Sequence, residues 1–116
     1  TIRVEDRDHP ATRHLMDTWY RQDEWYSFDA SVRGRFHVLA TLDEASYVAG
    51  AWGDGTQLAM DGDHPIVWNR CIGQGRSFYS ALGHTDESYR EESMRDVIAG
   101  GISWSLGEGD CPQAQE

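Results

Sequence analysis

The stretch FHVLATL, residues 36–42, is a nearly continuous apolar run with the length of one strand. A run without polar alternation is typical of a strand buried on both faces, as in a parallel sheet. The whole chain has 116 residues, which is enough for one domain and too short for two. We therefore expect this run to be a central strand with cover on both sides.

Elements on either side of this run complete an α/β pattern. Four further strands are predicted from alternating or aromatic-rich residues: 2–6, 23–28, 64–70 and 76–82. The turn at 72–75 joins the last two as a hairpin or as neighbouring strands. Residues 11–20 have helical spacing and predict a short helix or turn, whereas the glycine- and aspartate-rich residues 50–63 predict a surface loop.

The clearest predicted helix begins near Ser88. Ser88 and Glu91 have the spacing of a capping box, in which each side chain satisfies a free amide of the first turn. The apolar residues that follow lie along one helical face: Met94, Val97, Ile98, Ile102 and Leu106. Gly100 and Gly101 weaken a helix interior, so we expect another element to pack closely there. Gly107 is the predicted C-terminal stop.

The predicted fold class is α/β, with a mixed sheet and few helices. A doubly wound sheet needs helices on both faces, and this sequence supplies one good helix. We therefore expect a partner chain, as in a homodimer, or a missing amino-terminal half to cover the remaining face. Residues 1–107 form the predicted domain and residues 108–116 a flexible tail. The chain does not begin with Met, which leaves room for an upstream segment.

The charge balance excludes several classes of partner. Twenty acidic residues face ten basic ones, all of them Arg, and the formal net charge is −10. Such a surface repels phosphate, so neither nucleic acid nor an anionic membrane is an expected partner. The sequence also lacks an apolar stretch long enough to span a bilayer, and its first residues do not resemble a signal peptide.

The two cysteines, Cys71 and Cys111, form no C-x-x-C pattern, which argues against a zinc site built on cysteine. Two free thiols are favoured over a single disulfide, because small disulfide-stapled domains carry more cysteine. The compartment, cytoplasmic or secreted, stays open.

His84 is the strongest candidate for chemistry. It follows a predicted strand directly after Gly83, where a loop begins, and catalytic groups of open α/β sheets collect at the carboxyl ends of strands. Asp86 stands two residues further on and is expected to orient the imidazole and fix its tautomer. The plainer alternative is that His84 only forms a hydrogen bond within its own loop.

Asp23 and Glu24 are the second candidates, together with Trp25 and Tyr26. Adjacent residues of a strand point to opposite faces, so at most one carboxylate enters a given pocket. A carboxyl group beside aromatic rings can have a raised pKa and act as an acid or base. The rings themselves are suited to stacking on a sugar. Solvated acids beside core aromatics are the alternative.

The segments His9-Pro10 and His64-Pro65 each place an imidazole at a strand edge or in a plain turn. Imidazole and carboxylate together suit zinc, copper or iron. A second hypothesis is therefore a divalent metal ion held by His84, His9 or His64 with Glu24, although no H-x-H or H-x-x-x-H spacing supports it.

An ordered set of segments resembles the carboxyl-terminal half of ThuA-like (trehalose utilisation) domains. The segments are HPAT at 9–12, DEWY at 23–26, VLATLDE at 38–44, PIVW at 65–68, GQGRSFY at 73–79, LGH at 82–84 and GGISW at 100–104. The resemblance runs from about Ile2 to Gly107. It implies a flavodoxin-like fold, similar to class I glutamine amidotransferases, and a role in the metabolism of trehalose and keto-sugar derivatives. The family lacks the amidotransferase cysteine, so glutamine hydrolysis is not expected.

The resemblance places His84-Thr85-Asp86 where the wider group has its catalytic His-x-Glu. It implies a carbohydrate-active enzyme of the glycoside hydrolase or keto-sugar isomerase or hydrolase type. His84 is then the acid/base, and Glu24 or Asp23 the second carboxylate. The expected contacts with the sugar or small glycoside are Trp25, Tyr26, Trp68, His9 and Arg76. The alternatives are a metal-dependent hydrolytic or oxidative enzyme and a non-catalytic sugar-binding or assembly module.

Overall fold

The computed structural model describes residues 1–51 and 53–112, which contain five strands, one α-helix and two short 3-10 helices. The strands are β1 (Ile2–Val4), β2 (Thr18–Trp19), β3 (His37–Leu42), β4 (Pro65–Ile72) and β5 (Gly75–Ser80). The helix α1 spans Glu92–Ser105, and the 3-10 helices span Glu44–Ser46 and Asp86–Arg90. This is the mixed α/β class with few helices that the sequence predicts.

The five strands form one sheet in the order β2-β1-β3-β4-β5, and every strand pairing in it is antiparallel. The parallel pairing expected for residues 36–42 is therefore wrong, and the sheet does not show the parallel arrangement of a flavodoxin-like fold. Parallel neighbours need a crossover connection. Here β4 and β5 form a hairpin whose two-residue turn begins at Gly73, which has a positive φ of 58°.

The strand β3 is buried on both faces by residues of its own chain. Leu39 and Val38 are fully buried. Met94 belongs to the same core cluster, and Trp25, Phe28 and other partly buried residues from outside the sheet pack against it. Residues of the described chain therefore cover both faces of β3, and the burial of this strand does not require a partner.

Two predicted elements take another form. Residues 23–28 form no strand among the described residues; their polar groups are bound by side-chain contacts instead, such as that of the Ser27 hydroxyl with the Leu58 carbonyl. Residues 11–20 begin as a turn, in which the His9 carbonyl accepts hydrogen bonds from the next turn's amides, and end in β2. The predicted loop at 50–63 is confirmed in its described part, which carries one isolated bridge between Ala51 and Gln57.

The capping box predicted for Ser88 and Glu91 is wrong. Thr85 caps the 3-10 helix and accepts the Ser88 amide, while Glu91 is the N-cap of α1 without a side-chain capping bond. The Glu91 carboxylate binds the guanidinium of Arg21 instead. A charged partner forms stronger hydrogen bonds than a backbone amide, which explains the choice.

The close packing predicted at Gly100 and Gly101 is confirmed. A Cβ at Gly100 would run into the backbone of Pro10, and one at Gly101 would run into the ring of Phe78 in β5. The predicted stop at Gly107 is also confirmed. Gly107 has a φ of 118°, and its amide donates to the Trp104 carbonyl, as in a Schellman motif.

A disulfide joins Cys71 of β4 to Cys111, with their Cα atoms 6.0 Å apart, so the expectation of two free thiols is wrong.

The chain after α1 folds back over the hairpin because Arg76 binds it. The Arg76 guanidinium donates to the carbonyls of Trp104 (2.9 Å) and Gly109 (2.8 Å). Residues 108–112 of the expected flexible tail are held in this way, and residues 113–116 lie outside the described part.

Candidate functional site

His84 and Glu24 come together from two loops far apart in the sequence. The imidazole Nδ1 lies 2.9 Å from the Glu24 Oε2, and each side chain is about half exposed (52% and 47%). The contact becomes a salt bridge whenever the imidazole is protonated. This carboxylate thus occupies the place that the sequence assigned to Asp86, which is exposed in the first turn of the 3-10 helix.

Asp23 anchors the loop that carries His84. Its two carboxylate oxygens accept hydrogen bonds from the consecutive amides of Gly83 (2.8 Å) and His84 (3.0 Å), and it forms a buried ion pair with Arg21. Burial raises the pKa of the Asp23 carboxyl, but these amide bonds and the guanidinium outweigh it, so that its pKa lies below the usual value. Asp23 therefore remains a carboxylate and holds the loop, while Glu24 faces the imidazole.

Two cavities adjoin this pair, and Glu24 lines both. The smaller, of about 610 Å³, is lined by Gln22, Asp23, Glu24, His84, Thr85, Glu87, Ser88 and Glu91. The larger, of about 840 Å³, is lined by residues 24–31, residues 56–61 and Tyr79. A cavity of that size is large enough for a small-molecule ligand.

Four aromatic residues line the larger cavity: Trp25, Tyr26, Phe28 and Tyr79. Trp68 does not line it. It is 8% exposed and stacks on Tyr79 with ring centroids 4.4 Å apart, while Phe28 meets it edge-on at 5.2 Å. Because Tyr79 and Phe28 both line the cavity, Trp68 supports the wall from behind, in place of the direct sugar contact expected of it.

Two other expected sugar contacts lie elsewhere. His9 is buried in the core, where its Nδ1 accepts the Ala11 amide (3.0 Å) and its ring lies 5.1 Å from that of Trp104. Burial lowers the pKa of His9 to about 4. Arg76 is engaged at the end of α1. Neither His9 nor Arg76 lines the two cavities.

The four metal-ligand candidates do not converge. His64 is fully buried, with its Nδ1 2.9 Å from Glu44 and its Nε2 2.7 Å from the Tyr26 carbonyl, so both ring nitrogens are engaged. His9 lies in the core, and only His84 and Glu24 meet. Within residues 1–51 and 53–112, no group of three or more metal-ligating side chains was found. These residues therefore do not fit a shared metal ion.

The family model described as trehalose utilisation, ThuA, matches residues 1–105. The chain belongs to the ThuA family. Searches among curated proteins and among solved structures found no match. Membership in the ThuA family gives the domain a sugar-related role, and the matched range contains the His84–Glu24 pair and the aromatic wall.

Sequence reasoning missed several residues of the candidate site. Arg21 lies two residues before Asp23, but nothing in the local pattern shows that it also reaches Glu91. The stretch 56–61 was recognised as a loop and not as a cavity wall. Alternation of hydrophobic residues reports on burial, whereas these contacts depend on how distant loops meet.

The helices of the described residues are all too short or too polar to span a membrane.

Proposed function

We propose that this ThuA-family domain is a carbohydrate-active enzyme that moves a proton on a keto-sugar. His84 is the acid/base, Glu24 is its carboxylate partner, and the aromatic cavity binds the sugar. The observation that carries the proposal is the 2.9 Å contact between the His84 Nδ1 and the Glu24 Oε2, because His84 lines the smaller cavity and Glu24 lines both that cavity and the aromatic one.

Glu24 contacts the Nδ1 of His84, and this determines which ring nitrogen is left to accept a proton. With Nδ1–H directed to the carboxylate, the neutral imidazole presents its lone pair at Nε2. Among the described residues, none forms a hydrogen bond with that nitrogen. Nε2 takes a proton from the carbon beside the carbonyl. The electron pair of that C–H bond forms the C=C bond of an enolate, and the π electron pair of the carbonyl moves to its oxygen. Return of a proton from the imidazolium to the same carbon restores the carbonyl and completes the exchange.

Glu24 favours this step because the imidazole becomes a cation when it accepts the proton. A carboxylate 2.9 Å away stabilises that cation. General acid–base catalysis of this kind contributes about 10²- to 10⁴-fold in rate.

A keto-sugar fits the site better than glycoside hydrolysis. Most glycosidases use two carboxyl groups that flank the scissile bond, one of which must carry a proton. Asp23 cannot serve as that acid, since its pKa is lowered and its oxygens are bound by Arg21 and two amides. Glu91 is likewise bound to Arg21. One His–carboxylate pair is sufficient for proton transfer beside a carbonyl.

The test is solvent exchange observed by NMR. The protein is incubated in D₂O with a keto derivative of trehalose, with unmodified trehalose and with chromogenic glycosides. We expect deuterium to enter the keto-sugar at the carbon beside the carbonyl, and the H84N variant to lose at least about 100-fold of that rate. The matched control is H14N, which alters an exposed histidine elsewhere in the chain.

Equal exchange by the wild type and H84N would overturn the proposal. Hydrolysis of the glycosides alone, activity abolished by EDTA, or tight binding without any product would favour the glycosidase, the metal enzyme or the sugar-binding module in its place.

A further inference from the structure

Arg21 is buried and joins two carboxylates, Asp23 and Glu91, that line the smaller cavity of the candidate site. Its side chain is 1% exposed, and that of Asp23, with which it forms an ion pair, is fully buried. The same guanidinium donates from Nε and Nη2 to the two oxygens of Glu91, each at 3.2 Å. Its plane also lies over the ring of Trp19, 5.2 Å from the ring centroid.

Asp23 transmits this placement to the His84 loop. Its carboxylate accepts the amides of Gly83 and His84 in succession, which fixes two consecutive peptide planes at the point where His84 leaves the backbone. Gly83 has a φ of 104°, a conformation that side chains rarely adopt. The loop is therefore held in a specific shape by a charged acceptor, and that acceptor is held by Arg21.

We propose that Arg21 is a positioning residue for the His84–Glu24 pair. It locks Asp23, and with it the His84 backbone, to the N-terminal end of α1 through Glu91. This inference rests on the proposed function for its effect on turnover, but its structural part can be measured without any substrate.

The geometry requires arginine and not merely a positive charge. One edge of the guanidinium binds both oxygens of Glu91 while the remaining nitrogen serves Asp23. A lysine ammonium is a compact charge on a flexible stem and does not bridge two carboxylates in this planar manner. The R21K variant thus keeps the charge and loses the bridge.

The test compares R21K with R95K, which makes the same change at an exposed position of α1. Amide exchange and chemical shifts are read by NMR at Gly83 and His84, with the core amides of Leu39 and Val67 as internal references. We expect the exchange of Gly83 and His84 in R21K to rise about tenfold or more while the reference amides change little. In R95K, the amide exchange rates and chemical shifts of Gly83 and His84 should stay at their wild-type values.

Turnover supplies the second readout. If the His84–Glu24 pair is misplaced, kcat falls about tenfold while KM stays within about twofold, because the aromatic cavity is not altered. E91Q, which removes one anchor of the bridge and leaves Asp23 intact, should show the same pattern more weakly. It also serves if R21K does not fold.

A lower melting temperature with unchanged exchange and shifts at Gly83 and His84 would overturn the inference, since Arg21 would then only stabilise the fold. Failure of the proposed function looks different. In that case H84N and E24Q leave turnover unchanged, whereas the amide signature of R21K still reports on positioning.

Discussion

His84 Nδ1 lies 2.9 Å from Glu24 Oε2, and Glu24 also lines the cavity that has Trp25 and Tyr26 in its wall. Glu24 is held by its neighbour Asp23, whose Oδ1 accepts the Glu24 amide at 2.8 Å, whereas His84 is held by a residue distant in the sequence. Glu24 follows the buried Asp23, and Asp23 accepts the amide of His84. The pair therefore forms because one buried carboxylate joins the two loops, and this links the packing of the domain directly to its candidate chemistry.

Replacing an aromatic side chain of the larger cavity with alanine should weaken sugar binding without slowing the chemical step. Tyr26 lines the larger cavity and is 43% exposed. We expect Y26A to raise KM for the keto-sugar about twofold to tenfold, since an aromatic contact contributes about 0.5–1.5 kcal/mol, with kcat little changed. Steady-state kinetics measures the split. Y20A alters an exposed tyrosine outside both cavities and should change neither constant. A fall in kcat at constant KM would show that Tyr26 does not act by binding.

The sequence identified elements whose hydrophobic pattern is local, and it failed where distant groups compete. The run 36–42 became β3, the hairpin and the close approach at Gly100 were predicted, and the family assignment is confirmed by the match to residues 1–105. The direction of pairing was wrong because burial on both faces does not require parallel neighbours when loops of the same chain supply cover.

In the candidate site, too, local features were predictable from the sequence and contacts between distant residues were not. His84 and Glu24 were both named from their local context, but Asp86 was chosen as the orienting acid because it is near in sequence. The structure brings Glu24 to the imidazole instead. Ser88 and Glu91 match a capping box, but Arg21 takes the Glu91 carboxylate. Long-range ionic partners of this kind leave no periodic trace in a sequence.

Stability should fall in mild acid because of His9. The pKa of the buried His9 is about 4 in the folded chain, below its ordinary value of 6.5, because burial disfavours the charged imidazole. The unfolded chain therefore binds this proton first as the pH falls. The contribution is fully present above about pH 6.5 and is lost toward pH 4. Between pH 7 and pH 5 the loss should be roughly 2 kcal/mol.

Urea denaturation at both pH values measures this loss. H9N is the informative variant, because the Asn oxygen can replace Nδ1 as the acceptor for the Ala11 amide. It should be less stable than the wild type at pH 7 and should lose less stability on going to pH 5. An identical pH dependence in the two proteins would rule out His9 as the cause.

A methyl group at Gly100 should disrupt the packing of α1 against the backbone of Pro10 and Ala11. The new Cβ would overlap the Pro10 carbonyl and approach the Ala11 Cα, both of which are backbone atoms that cannot rotate away. We expect G100A to lower the free energy of unfolding by about 1–3 kcal/mol or more. In G50A the new Cβ meets no atom within 4 Å. Equal stability of the two variants in thermal unfolding would contradict the close packing.

Reduction of the Cys71–Cys111 disulfide should destabilise the domain. The bridge closes a loop with a sequence separation of 40 residues. Its loss should cost about 2–4 kcal/mol, mainly through the greater freedom of the unfolded chain. Urea unfolding with and without reductant measures the difference, and the C71S/C111S variant should be insensitive to reductant. Two titratable thiols in the native, unreduced protein would show that the bridge is not formed.

The double-mutant cycle of His84 and Glu24, read as the rate of deuterium exchange on the keto-sugar, measures whether the two side chains act as one catalytic pair. If the two groups act as one unit, H84N and E24Q each lower the rate, and the double variant is no slower than H84N alone. Losses that multiply in the double variant would show that Glu24 does not act through His84 and would contradict the account.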